Sequence, residues 1–134
     1  MSIISRIDPK RLPTPSVRAL FLIWLFFSIL TMLSFYFNIR ALNDIDVPTH
    51  IGAGLVITAF IYTTVKVKNG REALALAFVP FILWELIEIY ISANVQDGGY
   101  FFRLFEETFS NQVRDVTMDT LGSVVFIIMT GRKM

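Results

Sequence analysis

The sequence predicts an all-α membrane protein, a polytopic four-span helical bundle with both termini cytoplasmic. Three observations predict it. Of 134 residues, 54% are hydrophobic and only 17% are charged, with a mean hydropathy of +0.62, a balance beyond that of an ordinary soluble domain. The apolar residues fall in long blocks rather than in the one-sided stripe of an amphipathic helix, so lipid is the expected solvent. The basic residues are shared unequally between the segments that join those blocks, which orients a membrane protein.

Residues 1–16 read as a cytoplasmic arm, irregular around Pro9, Pro13 and Pro15, and residues 17–134 as a single transmembrane domain. The first block, about 17–37, has roughly the ~20 residues a span requires. It is too long for a signal-peptide core and no small-residue cleavage pattern follows it in Asn38 to Leu42, so it is expected to stay as an anchor. The second block, about 50–67, carries Gly52 and Gly54 and runs into Lys66, Lys68, Asn69 and Gly70, a basic, glycine-containing stop. The third covers about 73–93. The fourth, about 115–130, is short and opens on polar residues, which predicts an entry within the headgroup layer.

Arg6, Lys10, Arg11 and Arg18 precede or open the first span, Lys66, Lys68 and Arg71 join the second to the third, and Arg132 and Lys133 follow the fourth. Only Arg40, Arg103 and Arg114 fall on the other side. The positive-inside rule therefore places both termini in the cytoplasm and the other two connections outside. The second outer connection holds Phe101, Phe102, Phe105 and Phe109 at helical spacing, interleaved with Arg103, Glu106 and Glu107, as in an amphipathic helix lying along the interface. An aromatic belt segment fits the same residues.

Composition also excludes functions. The net charge is +1 and the basic residues are scattered, which argues against nucleic acid as a partner. The chain has no cysteine, hence no disulfide framework, thiolate metal site or thiol nucleophile. The expected partners are the lipid bilayer and, through the aromatics of the first span (Phe21, Trp24, Phe26, Phe27, Phe35, Tyr36, Phe37), other membrane subunits.

The candidate site lies in the placement of polar residues. Asp46 and His50 are four apart at the start of the second span. Glu85 and Glu88 are three apart in the third, and Asp115 and Asp119 are four apart at the start of the fourth. Residues three or four apart share a helix face, so each span can aim two side chains at one point. With the spans running in the predicted directions, all six groups fall in the outer half of the membrane. An aspartate at the bilayer centre costs on the order of 2.5–3.5 kcal/mol if exposed to lipid, so such groups should face inward.

Five carboxylates and one imidazole, without thiolates, suit a divalent metal ion: magnesium, calcium or manganese, or zinc if His50 is a ligand. Three other readings compete. A proton relay uses the same clustered carboxylates. A hydrogen-bonded network can hold helices together without further function. Taken singly, Asp46 before Pro48 suits a helix cap, and Asp115 suits a first turn, where the helix dipole favours negative charge.

The order Asp46-Val-Pro-Thr-His50-Ile-Gly52-Ala-Gly54, then Trp84-Glu85-Leu86-Ile87-Glu88, then Asp115-Val-Thr-Met-Asp119-Thr-Leu-Gly122 resembles the YjdF-like family of membrane proteins, over roughly Asp46 to Val125. That resemblance implies a shared polar site and no established activity. A weaker similarity reaches the VanZ-like proteins, whose pattern usually has asparagine where this chain has Asp119. Their link to glycopeptide resistance is not carried over.

Two function classes follow. One is a membrane-embedded metal site acting on a lipid-linked or small polar substrate, the cation polarising a phosphoryl or carbonyl oxygen while a carboxylate acts as base. The other is a non-catalytic accessory subunit of a larger membrane protein complex. No Ser-His-Asp arrangement, phosphate loop or dinucleotide fingerprint names a reaction.

Overall fold

The computed structural model describes residues 15–37, 46–94 and 109–130. Among these, four helices account for nearly everything: α1 (Pro15–Phe37), α2 (Asp46–Thr64), α3 (Gly70–Asn94) and α4 (Phe109–Met129). Three of them are long and apolar enough to cross a membrane, over Val17–Ser34, Asp46–Thr64 and Gly70–Ile91. In α4 the first half carries Asn111, Gln112, Arg114, Asp115 and Asp119, which lowers its mean hydropathy. The expected arm over 1–14, the connection over 38–45, the interfacial helix over 101–108 and the tail over 131–134 lie outside the described residues.

Helix limits differ from the sequence expectations in instructive ways. Pro15 and Ser16, expected in the arm, belong to the first turn of α1, where proline's fixed φ and missing N–H cost nothing. The second helix begins at Asp46 rather than at His50. Its first turn accommodates Pro48 for the same reason and gains from the acid at its N-terminus.

That helix stops at Thr64, before the lysines. Asn69 then caps α3, its Oδ1 accepting the Glu72 N–H at 3.0 Å, while the Glu72 carboxylate accepts the Lys68 N–H at 2.6 Å. The Asn69-Gly70 pair, expected as a stop, is therefore a start. The fourth helix extends back to Phe109, six residues before the expected Asp115.

The helices α2 and α4 form the central pair and run parallel. Asp46 meets Arg114, His50 meets Asp119, and Tyr62 packs on Phe126 with ring centroids 5.7 Å apart, so the two chains advance together. Glycine makes their approach close. A β-carbon at Gly54 would overlap the Asp119 carbonyl group, and one at Gly122 would overlap that of Ile51. The Ser123 hydroxyl, buried at the crossing, donates towards the Asp119 carbonyl at 3.1 Å and the Gly54 carbonyl at 3.2 Å. Small residues and a shared hydroxyl are the means by which helices associate where no hydrophobic force drives them together.

The antiparallel α3 closes one side. Ala73, Ala77 and Phe81 pack against Ile61, with Ile57 and Tyr62 around them, the alanines again permitting a short interaxial distance. On the other side, α1 lies against α2 through Trp24, whose Nε1–H donates to the Thr49 carbonyl at 3.1 Å, and through Thr31, whose hydroxyl lies 3.0 Å from that of Thr49. The rest of its surface is apolar and outward-facing, from Phe21 and Leu22 to Tyr36 and Phe37.

Candidate functional site

Parallel pairing of α2 and α4 brings two helix starts to one end of the bundle, and four of the six sequence-predicted residues meet there. Asp46 and His50 come from successive turns of α2, Asp115 and Asp119 from successive turns of α4. Both α4 carboxylates are buried against α2, and His50 and Asp46 are half-buried.

The imidazole of His50 sits between the carboxylates. Its Nδ1 lies 3.2 Å from Asp119 Oδ1. A carboxylate only accepts, so Nδ1 carries the proton there. The opposite nitrogen, Nε2, faces Asp46 Oδ1 at 3.6 Å and Asp115 Oδ2 at 3.8 Å, too far for a hydrogen bond to either. The ligand atoms of Asp46, His50 and Asp115 lie within 4.8 Å of one another. Ligands held at about 2.0–2.3 Å from a common ion stand roughly 3–4 Å apart, so this spacing has the right scale for a cation between them.

Residues outside the sequence-predicted set fix the carboxylates. The Arg114 guanidinium donates through Nη2 to Asp46 Oδ2 at 2.8 Å and through Nε to Asp115 Oδ1 at 3.0 Å. One planar fork thus grips the second oxygen of each carboxylate and leaves the first oxygen of each turned to Nε2. Asn111, one turn earlier on α4, donates to Asp115 Oδ2 at 3.0 Å. Sequence reasoning counted Arg114 only as one of three outer basic residues. Its adjacency to Asp115, and Asn111 standing four residues before that aspartate, were the available signals.

Glu85 and Glu88 are placed differently. Both are buried on α3, yet neither belongs to a group of three possible ligands within 4.8 Å among the described residues. Glu85 lines a cleft between α3 and α4 together with Gln112 and Val116, which flank Asp115 in sequence. The glycines quoted in the sequence pattern serve the site indirectly. With Gly54 against the Asp119 carbonyl, the α2 and α4 backbones are close enough for His50 to reach Asp119.

No curated protein and no solved structure matches the chain. Three helices of membrane-spanning length and composition, buried acids facing inward and apolar side chains facing out are the features of a membrane protein. In agreement with them, the family model described as Predicted membrane protein (DUF2238) matches residues 4–134, and the chain belongs to that family.

Proposed function

We propose that this chain crosses the cell membrane four times, with both termini in the cytoplasm, and binds one divalent cation near the outer face through Asp46, His50 and Asp115. The YjdF-like resemblance and the matched family are taken as one family. The observation that carries the reading is the division of labour on His50: Nδ1–H is held by Asp119, while Nε2 faces two carboxylate oxygens at 3.6 and 3.8 Å. A carboxylate holding one nitrogen so that the other can ligate is the usual support of a metal-binding histidine. The mixed nitrogen and oxygen donors favour zinc or manganese over calcium.

Charge balance supports the same reading. Three aspartates and Arg114 sum to two negative charges if His50 is neutral, which one divalent ion cancels in a setting where net charge is costly. The bound ion would polarise a phosphoryl or carbonyl oxygen of a lipid-linked or small polar substrate, leaving a neighbouring carboxylate to accept a proton. The fourth span is α4: its 21 residues cover about 31 Å at 1.5 Å per residue, and Asp115, Asp119 and Ser123 are buried rather than turned to lipid.

Elemental analysis and zinc or manganese titration of the purified protein test the site. Wild type and Glu85→Gln should bind about one equivalent and Asp115→Asn far less, as expected when a ligand is lost. Equal metal content in wild type and Asp115→Asn would leave a polar network without a metal. Cysteine labelling tests the topology: positions 43 and 98 should react from outside and position 69 from inside, and labelling of position 98 only from the cytoplasm reverses the orientation.

A second reading, an accessory subunit of a larger assembly, draws on the exposed aromatics of α1, among them Phe21, Phe26 and Phe37. Purification in mild detergent as a stable monomer alone would remove it.

A further inference from the structure

Glu85 is 5% exposed and stands apart from the cation ligands, yet it is not enclosed by core. It forms the floor of a cleft of about 340 Å³ between α3 and α4, a volume at the lower end of small-molecule sites. The walls are Ile82 and Leu86 of α3 and Val113 and Val116 of α4, with Gln112 at the polar end. Ile82, Leu86 and Val113 are 44%, 55% and 50% exposed, so the cleft opens on the outside of the bundle. Ile82, Glu85 and Leu86 all fall within the membrane-spanning stretch Gly70–Ile91, so that outside is lipid.

Two simple occupants fit poorly. A small polar solute gains nothing from four apolar walls. A plain hydrocarbon tail brings no counter-charge to a carboxylate that the lipid side would otherwise leave in a low-dielectric setting. An amphiphile answers both surfaces: its chain lies along Ile82, Leu86 and Val113, and a cationic head reaches Glu85 and the Gln112 side-chain carbonyl.

The geometry points to a lateral binding cleft for a long-chain amphiphile with an amine head, entered from the bilayer between α3 and α4. Gln112 and Val116 bracket Asp115 on the α4 helix, so the head arrives beside the helix turns that carry Asp115 and Asp119. As the substrate class of the cation site, this inference rests on the function proposed above; as a binding cleft it stands without the metal.

The full-length protein in phosphatidylcholine nanodiscs, given a photoreactive long-chain amine or the fatty acid of equal length, tests it by mapping the labelled residues. The amine should label Ile82, Leu86 and Val113 roughly fivefold more than the acid does, the order expected from one charge-assisted contact. Glu85→Gln should erase that preference while keeping total labelling. Val116→Trp and Leu86→Trp, which fill the cleft from opposite walls, should each abolish labelling there, with melting temperatures reported alongside.

Equal labelling by amine and acid, or equal labelling of the cleft and of α1 at Leu25 and Ile29, would show ordinary boundary lipid and overturn the proposal. So would labelling that appears only after Phe101, Phe102 and Phe105 are replaced by serine, because the chain's own segment would then be the occupant. The readout uses no metal. Labelling without metal binding sinks the cation site alone, and metal binding without labelling sinks the cleft alone.

Discussion

The two faces of α2 are opposite solutions to packing in a membrane. Towards α4 it presents Gly54, His50 and Asp46, and the contact is backbone against backbone with buried charges at one end. Towards α1 it presents Gly52 and Thr49 to Trp24 and Thr31, a side-chain contact with two hydrogen bonds and no charge. The first seam admits almost no change in spacing, because carbonyl groups cannot move aside as side chains can. The second can give by rotating an indole. Tight glycine crossing and charged side chains occur together because short imidazole–carboxylate reach requires close backbones. The difference locates the functional part of the bundle at α2–α4 and assigns α1 to anchoring.

The largest expected effect comes from loading each seam with a methyl group. Gly54→Ala and Gly122→Ala must push α2 and α4 apart and should destabilise the protein by about 1–3 kcal/mol or more. Gly52→Ala meets only Trp24 Cδ1, at 3.1 Å, and should cost less than about 1 kcal/mol. Thermal unfolding in one detergent measures all three, and equal losses would erase the contrast between the faces.

Next come variants that leave the helices in place and loosen the site. Asp119→Asn, which weakens the hold on Nδ1, and Arg114→Lys, which keeps a charge but cannot fork between two carboxylates, should each weaken metal binding by about 10–100-fold. Their unfolding temperatures should stay near wild type. Affinity in the wild type should fall as pH is lowered from about 8 to about 5, since His50 and the aspartates bind metal only after releasing protons and acid drives the equilibrium back. Because His50 is the only histidine, nitrogen NMR of histidine-labelled protein reads its ring directly, and zinc should shift Nε2 more than Nδ1. A larger shift at Nδ1 would break the assigned roles.

The smallest effects belong to α1. Trp24→Phe loses the hydrogen bond to Thr49 and should cost about 0.5–1.5 kcal/mol with no change in metal affinity. Leu22→Ala, on the lipid side, should stay within about 0.5 kcal/mol. A loss of metal binding in either variant would show that α1 supports the site after all.

The sequence by itself determined the helical class, three of the apolar spans, and the three residue pairs that share a helix face, because hydropathy and 3.6-residue spacing are local properties. It also marked Gly54 and Gly122 as part of a pattern without saying what they approach. Element ends were legible only within a few residues, since Asn69 as cap and Pro48 in a first turn read equally well as a stop and a break. Only the tertiary structure decided that α2 and α4 pair in parallel at a glycine crossing, that His50 divides its nitrogens between Asp119 and the Asp46–Asp115 pair, and that Arg114 holds those two carboxylates together. It alone separated Glu85 and Glu88 from that group. The physical reason is that periodicity fixes which face of its own helix a side chain occupies. Which neighbour that face meets depends on interhelical distance and rotation, set here by contacts between residues more than sixty positions apart in sequence.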